Sequence, residues 1–133
     1  MDFNKSIEDI FKILDELREE NKSVPIIVEG EKDKQALKNL NIKNKIIILN
    51  KGISLIDFCD IISKKYDKII ILTDWDRKGG FLKRRILENL KGRVKCNLKY
   101  REFFAKNTVV KTVEGLPHLI DTLINKNVNG KER

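Results

Sequence analysis

A chain of 133 residues, 41% hydrophobic and 36% charged, carries enough apolar material for one buried core and does not have the composition of a disordered segment. Its formal net charge of +8 favours a polyanionic partner, with nucleic acid first and an acidic membrane surface second. No apolar run nears the roughly 18 residues that a membrane span requires. Cys59 and Cys96 form no CxxC pair and read as free thiols of a reducing compartment, so a cytoplasmic protein without a membrane partner is expected.

The first predicted element is a helix over "SIEDIFKILDELREEN", with Ile7, Ile10, Phe11, Leu14 and Leu17 at helical spacing. Ser6 occupies its N-cap position, with Asp9 three residues on. "PIIVE" (25–29) reads as a strand and "EKDKQALKNL" (31–40) as a helix. A second strand, "KIIILN" (45–50), precedes a helix over "SLIDFCDIISKK" (54–65) with Leu55, Phe58, Cys59 and Ile62 on one face. "KIIILT" (68–73) is a third strand, and "FLKRRILENL" (81–90) a helix presenting Leu82, Ile86 and Leu90. "VKCNLKY" (94–100) alternates like an edge strand. A short helix near "REFFAKN" and a last one near "LPHLIDTLINK" follow, Pro117 suiting a first turn. Phe103 and Phe104 are expected to cover the sheet edge, and the closing "NVNGKER" to fray.

Continuous Ile, Val and Leu strands separated by helices predict an α/β fold: an open, mostly parallel four-stranded sheet with helices on both faces and extra helices at both termini. One domain over 1–133 is expected, with a core at about 24–100, an N-terminal helix at about 6–21 and a C-terminal helical segment at about 101–127.

Ligands of such sheets sit outside the carboxyl ends of the strands. The first strand ends in Glu29–Gly30, the second in Asn50–Lys51–Gly52 and the third in Asp74–Trp75–Asp76, all on one edge. Converging carboxylates repel and raise one another's pKa unless a cation joins them. With only oxygen ligands on offer, Mg²⁺ or Mn²⁺ suits the set and zinc does not. Arg77, Lys78, Lys83, Arg84 and Arg85 follow directly, and Lys32, Lys34 and Lys51 lie nearby. A metal–carboxylate centre rimmed by such cations can hold a phosphodiester. Each feature alone has an ordinary reading: an Asp-x-Asp-x-x-Gly stretch as a polar turn, Glu29 as a helix cap, a glycine as turn chemistry. Trp75 fits two roles, stacking on a nucleobase or packing against the next helix or loop. His118, the single histidine, reads as a surface or cap residue.

"IIVEGEKDKQAL" followed by "IIILTDWDRKGG" resembles the Toprim domain, the catalytic module of bacterial primases, topoisomerases, old-type nucleases and ribosomal-RNA-maturing ribonucleases. The matching residues are Glu29–Gly30, Asp33, Asp74, Asp76 and Gly79, and the likeness covers roughly 24–100. The resemblance implies a general acid/base role for Glu29, a metal-chelating role for Asp74 and Asp76, and an assisting role for Asp33 through a bound water. Lys51–Gly52 falls in the loop where the family commonly carries a glycine. No transesterifying tyrosine context, clamp or zinc-binding part accompanies the module, so the chain looks most like the small primase-like Toprim proteins. The leading expectation is Mg²⁺-dependent nuclease chemistry, with RNA favoured over DNA and with the ribosome or a larger nucleic-acid-processing complex as further partners. The alternatives are a primase-like nucleotidyl transferase and a non-catalytic nucleic-acid- or ribosome-binding module.

Overall fold

Runs of Ile and Val that are apolar on both sides can be satisfied only in a sheet covered on both faces, and that is where they lie. The structure, a computed structural model, describes residues 3–49 and 52–132, with side chains over 7–49 and 52–126. Its elements run α1 (Phe3–Asn21), β1 (Ile26–Val28), α2 (Glu31–Asn39), β2 (Ile46–Ile48), α3 (Leu55–Lys65), β3 (Lys68–Ile71), α4 (Arg77–Leu90), β4 (Lys95–Asn97), α5 (Lys99–Asn107) and α6 (Leu116–Glu132). The four strands form one sheet in the order β2-β1-β3-β4, and every pair is parallel.

Alternation along the strands divides the core in two. Ile26, Val28, Ile46, Ile48 and Ile70 pack with α1, α2, α5 and α6. Ile27, Ile69 and Ile71 face the other way, against Phe58, Cys59 and Ile62 of α3 and Ile86 and Leu90 of α4. The chain therefore leaves β1 over one face, through α2, and leaves β3 over the other, through α4. Adjacent strands whose crossovers diverge to opposite faces open a crevice at their carboxyl ends. Here those strands are β1 and β3, the ones that end in Glu29 and Asp74.

Several element ends differ from the sequence expectation. Helix α1 starts at Phe3 rather than after a Ser6 cap, and Phe11 is 38% exposed while Ile13 takes a core place. Helix α4 starts at Arg77, four residues before the predicted 81, because Asp76 caps it. The predicted strand 94–100 is only Lys95–Asn97, and Tyr100 already belongs to α5. The helix α6 continues to Glu132 through the stretch expected to fray. Phe104 is fully buried and Phe103 partly so, on the α1 side of the sheet. Cys59 and Cys96 are free thiols. Among the described residues no helix is long and apolar enough to cross a membrane.

Candidate functional site

Glu29 follows the last residue of β1, and its Oε2 accepts the backbone N–H of Asp74 at 2.7 Å. That bond ties the ends of the two central strands across the crevice. Asp74 in turn accepts the N–H of Val113 at 2.8 Å through Oδ1. Asp76 is the N-cap of α4, its Oδ1 accepting the N–H of Gly79 at 2.8 Å. Asp33, in the first turn of α2, accepts the N–H of Gly30 at 3.1 Å. Each of the four acids thus has one oxygen engaged by a backbone donor, which fixes its rotamer and offsets part of its charge.

The offset is incomplete. Burial raises the Glu29 carboxyl above its usual range and the charges of Asp74, Asp76 and Asp33 add to it, against the Asp74 amide. Burial likewise raises Asp74, opposed by the Val113 amide. Asp33 is pushed up to about 6, first by burial and then by the charge of Asp74. Such shifts follow first from burial and then from the mutual repulsion of acids set close together.

A buried cation beside these acids is one that no sequence motif signals. Arg101 on α5 is 7% exposed; its Nε donates to the carbonyl of Thr73 at 3.0 Å and its Nη2 to that of Asp74 at 2.7 Å. Burial lowers its pKa, and the charges of Glu29, Asp76 and Asp74 oppose that drop. Arg101 clamps the end of β3 and supplies positive charge beneath the acids, while using its hydrogen bonds on backbone oxygens.

A second unsignalled part is the connection between α5 and α6. Trp75 donates its backbone N–H to Lys111 O at 2.9 Å and its indole Nε1–H to Val110 O at 2.6 Å. With the Val113 bond to Asp74, this strap holds the Asp74–Trp75 turn from outside. The indole stacks on Phe104 at 5.6 Å between centroids and is 9% exposed. Of the two roles open to Trp75, packing is the one seen here: its ring lies in the core against Phe104, held by the bonds to Val110 and Lys111.

Gly79 has a steric reason to be glycine. A Cβ there would lie 1.7 Å from the Asp74 carbonyl oxygen, so α4 starts hard against the β3 turn, and Thr73 Oγ1 donates to Gly79 O at 2.8 Å to hold it. Gly52 has φ +78°, a conformation costly for other residues. Gly30 is the extended N-cap of α2.

Of the predicted cations, Arg77, Lys78 and Arg84 are exposed on α4, and Lys83 and Arg85 are half-buried there. Lys32 lies elsewhere, exposed on α2 in a cleft with Glu114 and His118. Lys34 is also on α2, and Lys51 lies outside the described residues. Among the described residues, no three His, Cys, Asp or Glu side chains stand grouped as a metal cage. The donor set nonetheless fits Mg²⁺: it is all oxygen, it carries excess negative charge, and Mg²⁺ is commonly held through one or two carboxylates with waters and phosphates completing its shell.

A parallel sheet with a Glu-Gly turn on one central strand and an Asp-x-Asp turn on its neighbour, both at the switch point, defines an α/β module whose acids meet at the carboxyl edge of the sheet. The chain belongs to the Toprim domain family, matching it over residues 24–106. A UPF0292 protein of Thermoplasma volcanium is 43% identical over 112 residues, covering 84% of this chain and 94% of that protein. A UPF0292 protein of Methanocaldococcus jannaschii is 32% identical over 112 residues, with 82% and 88% covered. A solved structure of a protein from Aquifex aeolicus shares the fold with a TM-score of 0.68 and 30% identity, covering 77% of this chain and 94% of that one. Toprim domains carry out metal-dependent chemistry related to nucleic acids and generally bind a divalent metal such as Mg²⁺. Val110, Lys111 and Val113, which hold the Asp74–Trp75 turn, lie beyond the matched residues.

Proposed function

We propose that the protein is a cytoplasmic Toprim protein that cleaves structured RNA by Mg²⁺-dependent phosphodiester chemistry. The observation that carries this reading is the contact of Glu29 with the Asp74 turn across the β1–β3 crevice, which brings two carboxyls with raised pKa values together.

Asp74 and Asp76, with Glu29, are the residues that would hold Mg²⁺. When bound, the ion supplies positive charge to the phosphoryl oxygens as negative charge builds on them. Glu29 is the proton-transferring group: its raised pKa brings it nearer to neutrality, where general acid/base catalysis is most effective. Asp33 assists through a bound water. Arg77, Lys78, Lys83, Arg84 and Arg85, with Lys32 and Lys51, hold the backbone phosphates, and Gly30, Gly52 and Gly79 shape the loops around them. Arg101 fixes the carbonyls of the Asp74 turn and thereby orients its side chain.

The test is incubation of labelled single- and double-stranded RNA and DNA with the purified protein, with and without Mg²⁺ or Mn²⁺, beside Glu29→Gln and Asp74→Asn. Both substitutions keep an oxygen for the backbone donor that each acid now accepts. Metal-dependent RNA cleavage, lost in both variants, is expected. Extension that requires nucleoside triphosphates would replace the reading with a transferase. Salt-sensitive binding without turnover, equal in all three proteins, would replace it with a binding module.

A further inference from the structure

On the α3–α4 face, a cleft of about 310 Å³ is lined by Glu29, Leu49, Ile53, Leu55, Lys78 and Leu82. Four of these six are aliphatic, and the two ionic groups are a carboxylate of the candidate centre and a lysine of the first turn of α4. Nearby on the same two helices, Phe81 is 51% exposed and Ile56 54%, while Ile53 itself is 44% exposed. The Arg85 guanidinium lies over the Phe81 ring, 5.8 Å from its centroid. Apolar side chains left open beside an acid and several cations are a binding feature more than a folding one.

The chemistry of the walls selects the occupant. A phosphodiester alone would find no use for the leucines and isoleucines. An acyl chain or apolar peptide would leave Glu29 and Lys78 partly desolvated and unpaired, at a cost. A nucleotide suits these walls, with its ring on the aliphatic side, its phosphate toward the lysine and Glu29 left to the adjoining phosphodiester. The cations that continue along α4 complement the rest of a polyanion.

We infer that this cleft is a nucleobase subsite, which takes the base of the nucleotide adjoining the phosphodiester served by Glu29. The inference rests on the proposed nucleic-acid chemistry and deepens it. A base can enter such a cleft only when it is unpaired, so the substrate presents a loop, a bulge or a strand end there. The exposed aromatic available to nucleic acid is then Phe81, next to the cleft residue Leu82 in the chain, and not the buried Trp75.

The experiment is a methyl-labelled NMR titration of the full chain in EDTA, with adenosine 5′-monophosphate as probe and ribose 5-phosphate as control. Saturable shifts of the Ile53, Leu55 and Leu82 methyls with the nucleotide, and none with the sugar phosphate, are expected. Ile53→Ser and Leu82→Ser should each weaken nucleotide binding about tenfold, in the range that one base contact contributes. Ile61→Ser, an equally exposed position on α3 outside the cleft, should leave it unchanged. Equal binding of the two probes, or binding indifferent to both cleft substitutions, overturns the subsite. The two failures are separable because this assay involves no turnover. Nucleotide shifts in a protein that cleaves nothing would uphold the cleft and sink the nuclease, and RNA cleavage with silent cleft methyls would do the reverse.

Discussion

Asp33 shows how one carboxylate can serve the fold and burden it together. Its side chain closes the start of α2 by accepting the Gly30 amide, yet burial and the charge of Asp74 move its pKa from 3.8 to about 6. An acid raised in the folded state binds its proton more tightly there than in the unfolded chain. Its stabilising contribution is therefore complete below 3.8, declines as pH rises through 6, and is absent at pH 7.5. Asp33→Asn keeps the acceptor and removes the charge. In EDTA at pH 7.5 the variant should melt higher than the parent, by an amount equivalent to at most about 3 kcal/mol. At pH 4 the gain should largely vanish, since the parent then carries the proton. Saturating Mg²⁺ should narrow the difference at pH 7.5, because a cation offsets the same charge. A variant that melts lower at both pH values would show that Asp33 is held for its cap and not penalised for its charge.

At the scale of elements, the joint between β3 and α4 decides where the acids stand. A methyl at Gly79 would meet the Asp74 carbonyl at 1.7 Å, and that carbonyl is pinned by Arg101. Gly80, one residue on, has nothing nearer than the ends of two arginine side chains, at 3.8 and 3.9 Å. Gly79→Ala should then cost about 3 kcal/mol or more in urea unfolding, or prevent folding. Gly80→Ala should be neutral or gain up to about 1 kcal/mol from helix propensity. Equal effects at the two positions would refute this account of the joint. The same joint shows what could be read in advance. The isoleucine strands were legible because burial on both faces leaves only apolar residues, and Glu29, Asp74 and Asp76 followed from where such strands end. The start of α4 was not, since "KGG" has the look of a turn and the cap at Asp76 reveals itself only through its bond to Gly79. The strap over Trp75 was illegible for a deeper reason. It acts through Val110 O, Lys111 O and Val113 N, backbone atoms that every residue type carries. Arg101 was hidden among 28 lysines and arginines, distinguished only by its burial.

At the scale of the whole molecule, a protein of net charge +8 concentrates several half-buried acids at one edge of its sheet. The two fields oppose each other for an approaching nucleic acid. The distributed lysines and arginines draw the polyanion in, with an affinity that falls as salt rises. The acids at the crevice repel the phosphate that arrives there until a cation joins them. Two unit charges about 6 Å apart in water repel by about 0.7 kcal/mol, roughly a threefold effect on binding before screening. In EDTA at low salt, Glu29→Gln and Asp74→Asn should therefore bind a short RNA about two- to threefold more tightly than the parent, although both are expected to cleave nothing. With Mg²⁺ present the order should invert, because the parent alone keeps the full set of oxygens proposed to hold the metal. Arg84→Gln, by contrast, should weaken binding with or without metal and lower the slope of log affinity against log salt by about 0.7 to 0.9. Fluorescence anisotropy across a salt series reads all of these constants. If the two acid variants bound more weakly than the parent in EDTA, the crevice acids would be contacts for RNA in their own right and not a site that waits for a cation.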